Sequence, residues 1–129
     1  MADRGTILVV EDDDTLRSVI GEVLVDEGYH VDLATDGHEA LEILRGADPD
    51  LIILDVMMPR MDAFRFREIQ QARGPGRAAV LVVSAVRDVR SAAATLGAQA
   101  FLPKPFQLQA LLAEVDRLLS GGRPSASAN

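Results

Sequence analysis

The sequence predicts an α/β domain, a parallel β-sheet covered by helices on both faces. Three observations carry that prediction. Apolar, β-branched runs alternate five times with stretches of helical periodicity. The runs are continuous for the most part, as in strands buried on both sides. The 129 residues make one domain's worth of chain, long enough to bury roughly two-thirds of its unfolded surface.

The elements follow in order. Thr6 to Val10 is the first strand, and it ends in four consecutive carboxylates, Glu11 to Asp14. Leu16, Val19, Ile20, Val23 and Leu24 form the stripe of an amphipathic helix, capped by Asp13 or Asp14 and stopped at Gly28. Tyr29 to Ala34 alternates apolar and polar residues and reads as the second strand. Asp36 precedes Glu39 by three residues, a capping-box variant, ahead of Ala40, Leu41, Ile43 and Leu44. Asp48-Pro49 breaks that helix. Leu51 to Leu54 is a third strand that runs into Asp55, with Pro59 four residues on. Asp62 to Ile69 starts a third helix, stopped by Gly74-Pro75-Gly76. Ala79 to Val83 is the fourth strand and ends in Ser84. Arg87 to Leu96 is a short alanine-rich helix closed by Gly97, Ala100 to Leu102 a brief fifth strand. After Pro103-Lys104-Pro105, a final helix over Gln107 to Ser120 carries Leu108, Leu111, Leu112, Val115, Leu118 and Leu119 on one face. Gly121 to Asn129 is expected to be a flexible polar tail.

Composition narrows the chemistry. The absence of cysteine excludes disulfides, thiolate metal sites and thiol nucleophiles. No apolar run is long enough to span a bilayer and no basic, apolar leader opens the chain, so a soluble cytoplasmic protein is expected. The net charge of −7 is uneven: residues 1–55 carry 15 acidic and 3 basic side chains, residues 56–129 carry 5 and 10. Neither direct nucleic-acid binding nor a membrane surface is expected of so acidic a domain. Twelve of the thirteen basic residues are arginine; Lys104 is the only lysine.

Ligands of open parallel sheets collect at the carboxyl ends of the strands. There the first strand delivers Glu11 and Asp12, the third Asp55, the fourth Ser84 and the fifth Lys104. Taken alone, Asp55 reads equally well as a turn cap, and Asp13 and Asp14 read as helix caps. Three convergent carboxylates repel, by on the order of 4 kcal/mol for each close pair at a near-surface dielectric, and so call for a cation. Oxygen ligands without histidine or cysteine suit a hard ion such as Mg²⁺, held by carboxylates and phosphate oxygens. A lysine and a hydroxyl opposite the ion complete a cage for a tetrahedral dianion, with a carboxylate as nucleophile.

In this order, Val9-Val10-Glu11-Asp12, Leu54-Asp55-Val56-Met57-Met58-Pro59, Val83-Ser84-Ala85 and Lys104-Pro105-Phe106 resemble the receiver domain of the two-component response-regulator family. The likeness runs from Thr6 to about Ser120, which implies a receiver domain over residues 1–120. It implies a flavodoxin-like (βα)5 fold with strand order 2-1-3-4-5. It implies Asp55 as phosphoacceptor for a histidine kinase or phosphotransfer protein, and Mg²⁺ held by Glu11, Asp12, Asp55 and the backbone carbonyl of Met57. Lys104 would meet the phosphoryl oxygens, with a cis bond to Pro105. Ser84 would reach for the modified Asp55 and Phe101 would swing inward behind it, switching the face formed by the fourth helix, fifth strand and fifth helix. The domain would be no enzyme beyond its own phosphorylation and slow dephosphorylation. It would act on a downstream protein, as a monomer or a phosphorylation-dependent dimer.

Two departures stand out. Ala63 replaces the glycine usual in the family, at a cost of about 1 kcal/mol if the position needs a positive φ. The segment from Ser84 to Lys104 is short, which trims the fourth helix or its preceding loop. Other classes fit less well. A haloacid-dehalogenase-like phosphatase needs a second aspartate where Met57 stands, and a flavodoxin needs a hydroxyl- and glycine-rich phosphate loop after the first strand, where Glu11 to Asp14 would repel a phosphate. No Gly-rich Walker loop is present. The remaining alternatives are a phosphorylation-independent adaptor with the same fold, or the receiver piece of a longer regulator. No DNA-binding or catalytic output module is expected after the receiver.

Overall fold

The structure is a computed structural model that describes residues 4–74 and 76–120; the expected tail at 121–129 lies outside the described residues. Five strands, β1 (Thr6–Val10), β2 (His30–Ala34), β3 (Leu51–Leu54), β4 (Ala79–Ser84) and β5 (Ala100–Pro103), alternate with five helices. The helices are α1 (Asp14–Asp26), α2 (Gly37–Leu44), α3 (Ala63–Arg73), α4 (Val89–Leu96) and α5 (Leu108–Ser120). All neighbouring strands pair in parallel, in the order β2-β1-β3-β4-β5. This is the fold and the strand order that the resemblance implies.

Strand periodicity divides the core in two. Leu8, Val10, Ile52, Leu54, Val80 and Val82 face α2, α3 and α4, where Leu41, Phe66, Ala93 and Leu96 meet them. Ile7, Val9, Leu51, Ile53, Leu81 and Val83 face α1 and α5, against Ile20, Leu24, Leu111 and Val115. The three central strands are therefore buried on both faces, as their unbroken apolar runs require. At the sheet's edge, β2 departs from clean alternation: Asp32 and Leu33 are both exposed.

Aspartates set the helix starts. Asp13, Asp36, Asp62 and Asp88 each accept from the backbone N–H three residues on, at 2.9 to 3.0 Å. Asp88 as cap moves the start of α4 to Val89, two residues later than its alanine-rich composition suggested, because a cap takes a non-helical backbone. The Glu39 side chain reaches back past Asp36 to Thr35, whose N–H donates to Glu39 Oε1 at 2.6 Å. Gly28 (φ 100°) closes α1, with Tyr29 N–H donating to Leu24 O and Gly28 N–H to Val25 O. Tyr29 is spent on that closure, which is why β2 begins at His30. Ala63 is the buried first residue of α3, and the left-handed position of this turn is Arg60 (φ 65°). Alanine in place of glycine therefore brings no backbone strain.

Asp36 also accepts a charge-assisted bond from Arg60, which ties the α2 start to the turn after β3. Burial works against the Asp36 carboxylate, but the Glu39 N–H and the Arg60 guanidinium outweigh it and hold its pKa below the usual value. A depressed acid stabilises above the unfolded pKa and loses that contribution as pH falls through the folded one. Asp36→Asn, which keeps the capping oxygen, should lower unfolding stability at pH 7 by about 1 kcal/mol. Urea titrations of both proteins should show the gap closing below about pH 4; a gap independent of pH would contradict this account.

Candidate functional site

Strand register brings the polar strand ends together. Val10 is level with Leu54, Leu54 with Val82, and Ser84 with Pro103, so the next residues of β1, β3 and β5 emerge at one edge. Backbone bonds continue the ladders past the strands: Asp55 N–H donates to Val10 O at 3.1 Å, and Lys104 N–H to Ser84 O at 2.8 Å.

Lys104 is the hub. Its Nζ lies 2.8 Å from Glu11 Oε1 and 3.1 Å from Asp55 Oδ2. Glu11 and Asp55 are buried, whereas Asp12 is exposed at the mouth. Oxygens of the three acids all fall within 4.8 Å of one another. Asp13 N–H donates to Glu11 Oε2 at 3.1 Å, but Glu11 Oε1 receives only the charge of Lys104, with no well-directed hydrogen bond. Burial raises the Glu11 pKa and the Asp55 charge adds to this; Lys104 and the Asp13 N–H offset it only in part. Burial lowers the Lys104 pKa, yet its ion pairs with Glu11 and Asp55 win and raise it. The site is thus an acidic pocket with one ammonium inside it and an oxygen left for a further cation. That donor set fits a hard divalent ion.

The remaining expected residues surround this hub. Met57 N–H donates to Asp55 Oδ1 at 3.1 Å, and the Met57 side chain is 64% exposed. Ser84 is fully buried; its Oγ accepts only a long bond, 3.4 Å, from Val86 N–H. Lys104-Pro105 is a cis peptide. Phe101, half-buried, stands level with Val82 and packs with the cluster under α4. Because Ser84 is two residues beyond Val82, its side chain lies on that same sheet face.

Sequence patterns alone gave no sign of several arginines here. Arg17 donates to Glu11 O at 2.8 Å and fixes the backbone where β1 ends. Its spacing of three from Asp14 was visible, its reach to Glu11 was not. Arg90 stacks on Phe101, with its guanidinium carbon 5.3 Å from the ring centroid. No local motif links residues eleven apart across a helix and a strand.

Comparison with known proteins agrees with this geometry. The family model described as response regulator receiver domain matches residues 7–116. The chain belongs to the response-regulator receiver family. Response regulator MprA of Mycobacterium tuberculosis is 42% identical over 125 residues, and its Mycobacterium leprae counterpart 41%. The match covers 95% of this chain and 54% of each relative, so the chain spans about half the length of these curated relatives. Among solved structures, TrrA from Thermotoga maritima, in complex with Mg(2+)-BeF, aligns at a TM-score of 0.76 with 30% identity, covering 88% of this chain and 97% of that one. The non-phosphorylated HemR receiver domain of Leptospira biflexa aligns at 0.80 with 32% identity, covering 92% and 97%. The receiver's five strands and five helices are those of this family.

Removing the hub charge from the receiver should be costly. Lys104→Ala leaves Glu11 and Asp55 facing each other without compensation, and in chelator it should lose about 3 kcal/mol of unfolding stability. Adding Glu11→Gln should recover part of that loss. If the two substitutions simply add, the two residues are not coupled.

Proposed function

We propose that this receiver is the phosphoacceptor of a two-component phosphorelay and that Asp55 is the residue modified. The observation that carries the reading is the Asp55 carboxylate at the end of β3, 3.1 Å from the chain's only lysine and beside Glu11 and Asp12. A site built only for stability gains little from three acids around one ammonium. A site that must take up a phosphoryl dianion with its cation needs both signs of charge.

In this reading an Asp55 oxygen attacks the phosphorus of a phosphohistidine on a histidine kinase or phosphotransfer protein. The P–O bond forms as the P–N bond breaks, and the imidazole leaves with the electron pair. Mg²⁺, held by Glu11, Asp12, Asp55 and the Met57 carbonyl, supplies charge neutralisation on the transferring oxygens when bound. The likeness to TrrA, solved in complex with Mg(2+)-BeF, supports Mg²⁺ as the ion. Lys104 exchanges its carboxylate partner for a phosphoryl oxygen and stays charged throughout. The Ser84 hydroxyl, bonded so loosely before modification, turns to donate to the new group. Phe101 follows into the space on the same sheet face, and the surface of α4, β5 and α5 becomes the output for a downstream protein. The domain modifies only itself, in the cytoplasm, as a monomer or a phosphorylation-dependent dimer, with residues 1–120 as the folded unit.

Incubation with Mg²⁺ and acetyl phosphate should produce a single phosphoryl adduct in intact-mass spectra. Asp55→Asn should produce none, and neither should the wild type in chelator. An adduct that survives either change would sink the assignment.

Mg²⁺ should also stabilise the unmodified fold. At a hundredfold excess over its dissociation constant the gain should be about 2.7 kcal/mol, read as a rise in the urea midpoint. Asp12→Asn should remove most of it, while Asp32→Asn, in the exposed edge strand, should not.

A further inference from the structure

The guanidinium of Arg90 has no carboxylate partner among the described residues; its contact is the face of Phe101, 5.3 Å from the ring centroid. Arg90 lies in the first turn of α4, exposed, and Phe101 lies in the middle of β5. The two line a surface cavity of about 440 Å³ with Ala93, Ala98, Ala100 and Glu114. Small side chains on α4 and the loop after it leave that space, and Glu114 and Arg117, paired with each other at 2.6 Å, close it on the α5 side. On its other side Phe101 meets the apolar cluster beneath α4, which contains Val82 and Val89. The ring therefore sits between an apolar side and a cation, and among the described residues that cation has no ion pair to hold it elsewhere.

From this geometry we propose that Arg90 is a positioning residue for the switch, an outer latch whose cation–π contact holds Phe101 toward solvent until Asp55 is modified. The proposal rests on the phosphoacceptor reading above and adds the device that sets its resting state. A guanidinium over an aromatic face is attracted by the ring quadrupole, modestly at an exposed site. A modest attraction is what a switch requires, because a stronger hold would outweigh the bias supplied by one Ser84 bond. Inward movement of the ring gives up the contact, so the latch favours the outward state and opposes inward movement. Removing it shifts the outward-to-inward ratio by roughly two- to fivefold. Where modification draws on the inward population, a form biased inward takes up phosphoryl groups faster by up to the same factor.

The test uses the full chain with its phenylalanines replaced by 4-fluorophenylalanine. The four resonances, from Phe64, Phe66, Phe101 and Phe106, are assigned by single Phe→Leu substitutions. The readout is the shift of each fluorine between H2O and D2O, which reports solvent exposure. In unmodified Arg90→Gln the Phe101 isotope shift should fall toward its value in the acetyl-phosphate-treated wild type, and in Arg90→Lys, which keeps a cation, it should stay near the resting value. Adduct formation from acetyl phosphate should be faster in Arg90→Gln than in the wild type, by up to about fivefold. A ring merely uncovered by loss of the guanidinium would show a larger isotope shift, and that result, or an unchanged adduct rate, overturns the latch. A wild type that forms no adduct at all refutes the phosphoacceptor reading instead, and the isotope shifts of the unmodified variants still decide whether Arg90 holds the ring.

Discussion

The domain depends on an ammonium held between two buried carboxylates. Glu11, Asp55 and Lys104 come from three different strands, so their meeting requires that β1, β3, β4 and β5 pair in the observed register. Slipping any pairing by one residue would turn its strand's side chains to the opposite face. The apolar rows that fill both halves of the core forbid such a slip. Burial of the central strands thus locates the charges, and the charges in turn make the strand ends the least settled part of the fold. Lys104 compensates Glu11 only in part, leaving one carboxylate oxygen without a directed donor.

The choice of cation at each place follows from its shape. Arginines in this chain bridge elements with their planar forks. Arg4 joins Glu27 at the end of α1 to Asp116 on α5 and lies over Tyr29. Arg67 on α3 donates to Leu96 O at 2.9 Å, closing the C-terminal end of α4, and to Gln70 at 2.7 Å. Such fixed, directional bonds suit permanent joints. On the proposed function the strand-end pocket has the opposite need, a compact charge on a flexible stem that could change partners without leaving the site, and there the chain has its lysine.

Much of this was legible in the sequence because the signals are local. Unbroken apolar runs marked the buried strands, and Asp13, Asp36, Asp62 and Gly97 marked helix ends, since caps and stops act within one turn. The strand-end residues could be gathered because a parallel sheet sends all its carboxyl ends to one edge. What stayed hidden acts across elements. Asp88 was visible as an acid but not as the cap that delays α4, because Arg87 before it and the residues after it all permit a helix start. At Ala63 the family pattern invited an expectation of strain, yet the turn places its left-handed residue three positions earlier, at Arg60. The bond from Arg60 to Asp36 and the stack of Arg90 on Phe101 join residues with no shared periodicity, so only packing reveals them.

The unequal tethering of the two helical layers would give the proposed switch its direction. On the α1 and α5 side, Arg4 ties both helices and the start of β1 together. On the other side, α4 is fixed at its C-terminal end by Gly97 and Arg67. At its N-terminal end the described bonds are the Asp88 cap and the first helical turn, plus the Arg90 stack. A change at Ser84 enters the molecule beside that lightly held end, through β4 and the Val86 turn that its hydroxyl caps. Deformation follows the route with least to break. On the proposed function, the eight-residue α4, short and lined with alanine, is therefore the element that a new charge at Asp55 would displace first, ahead of the better-tied α1 and α5.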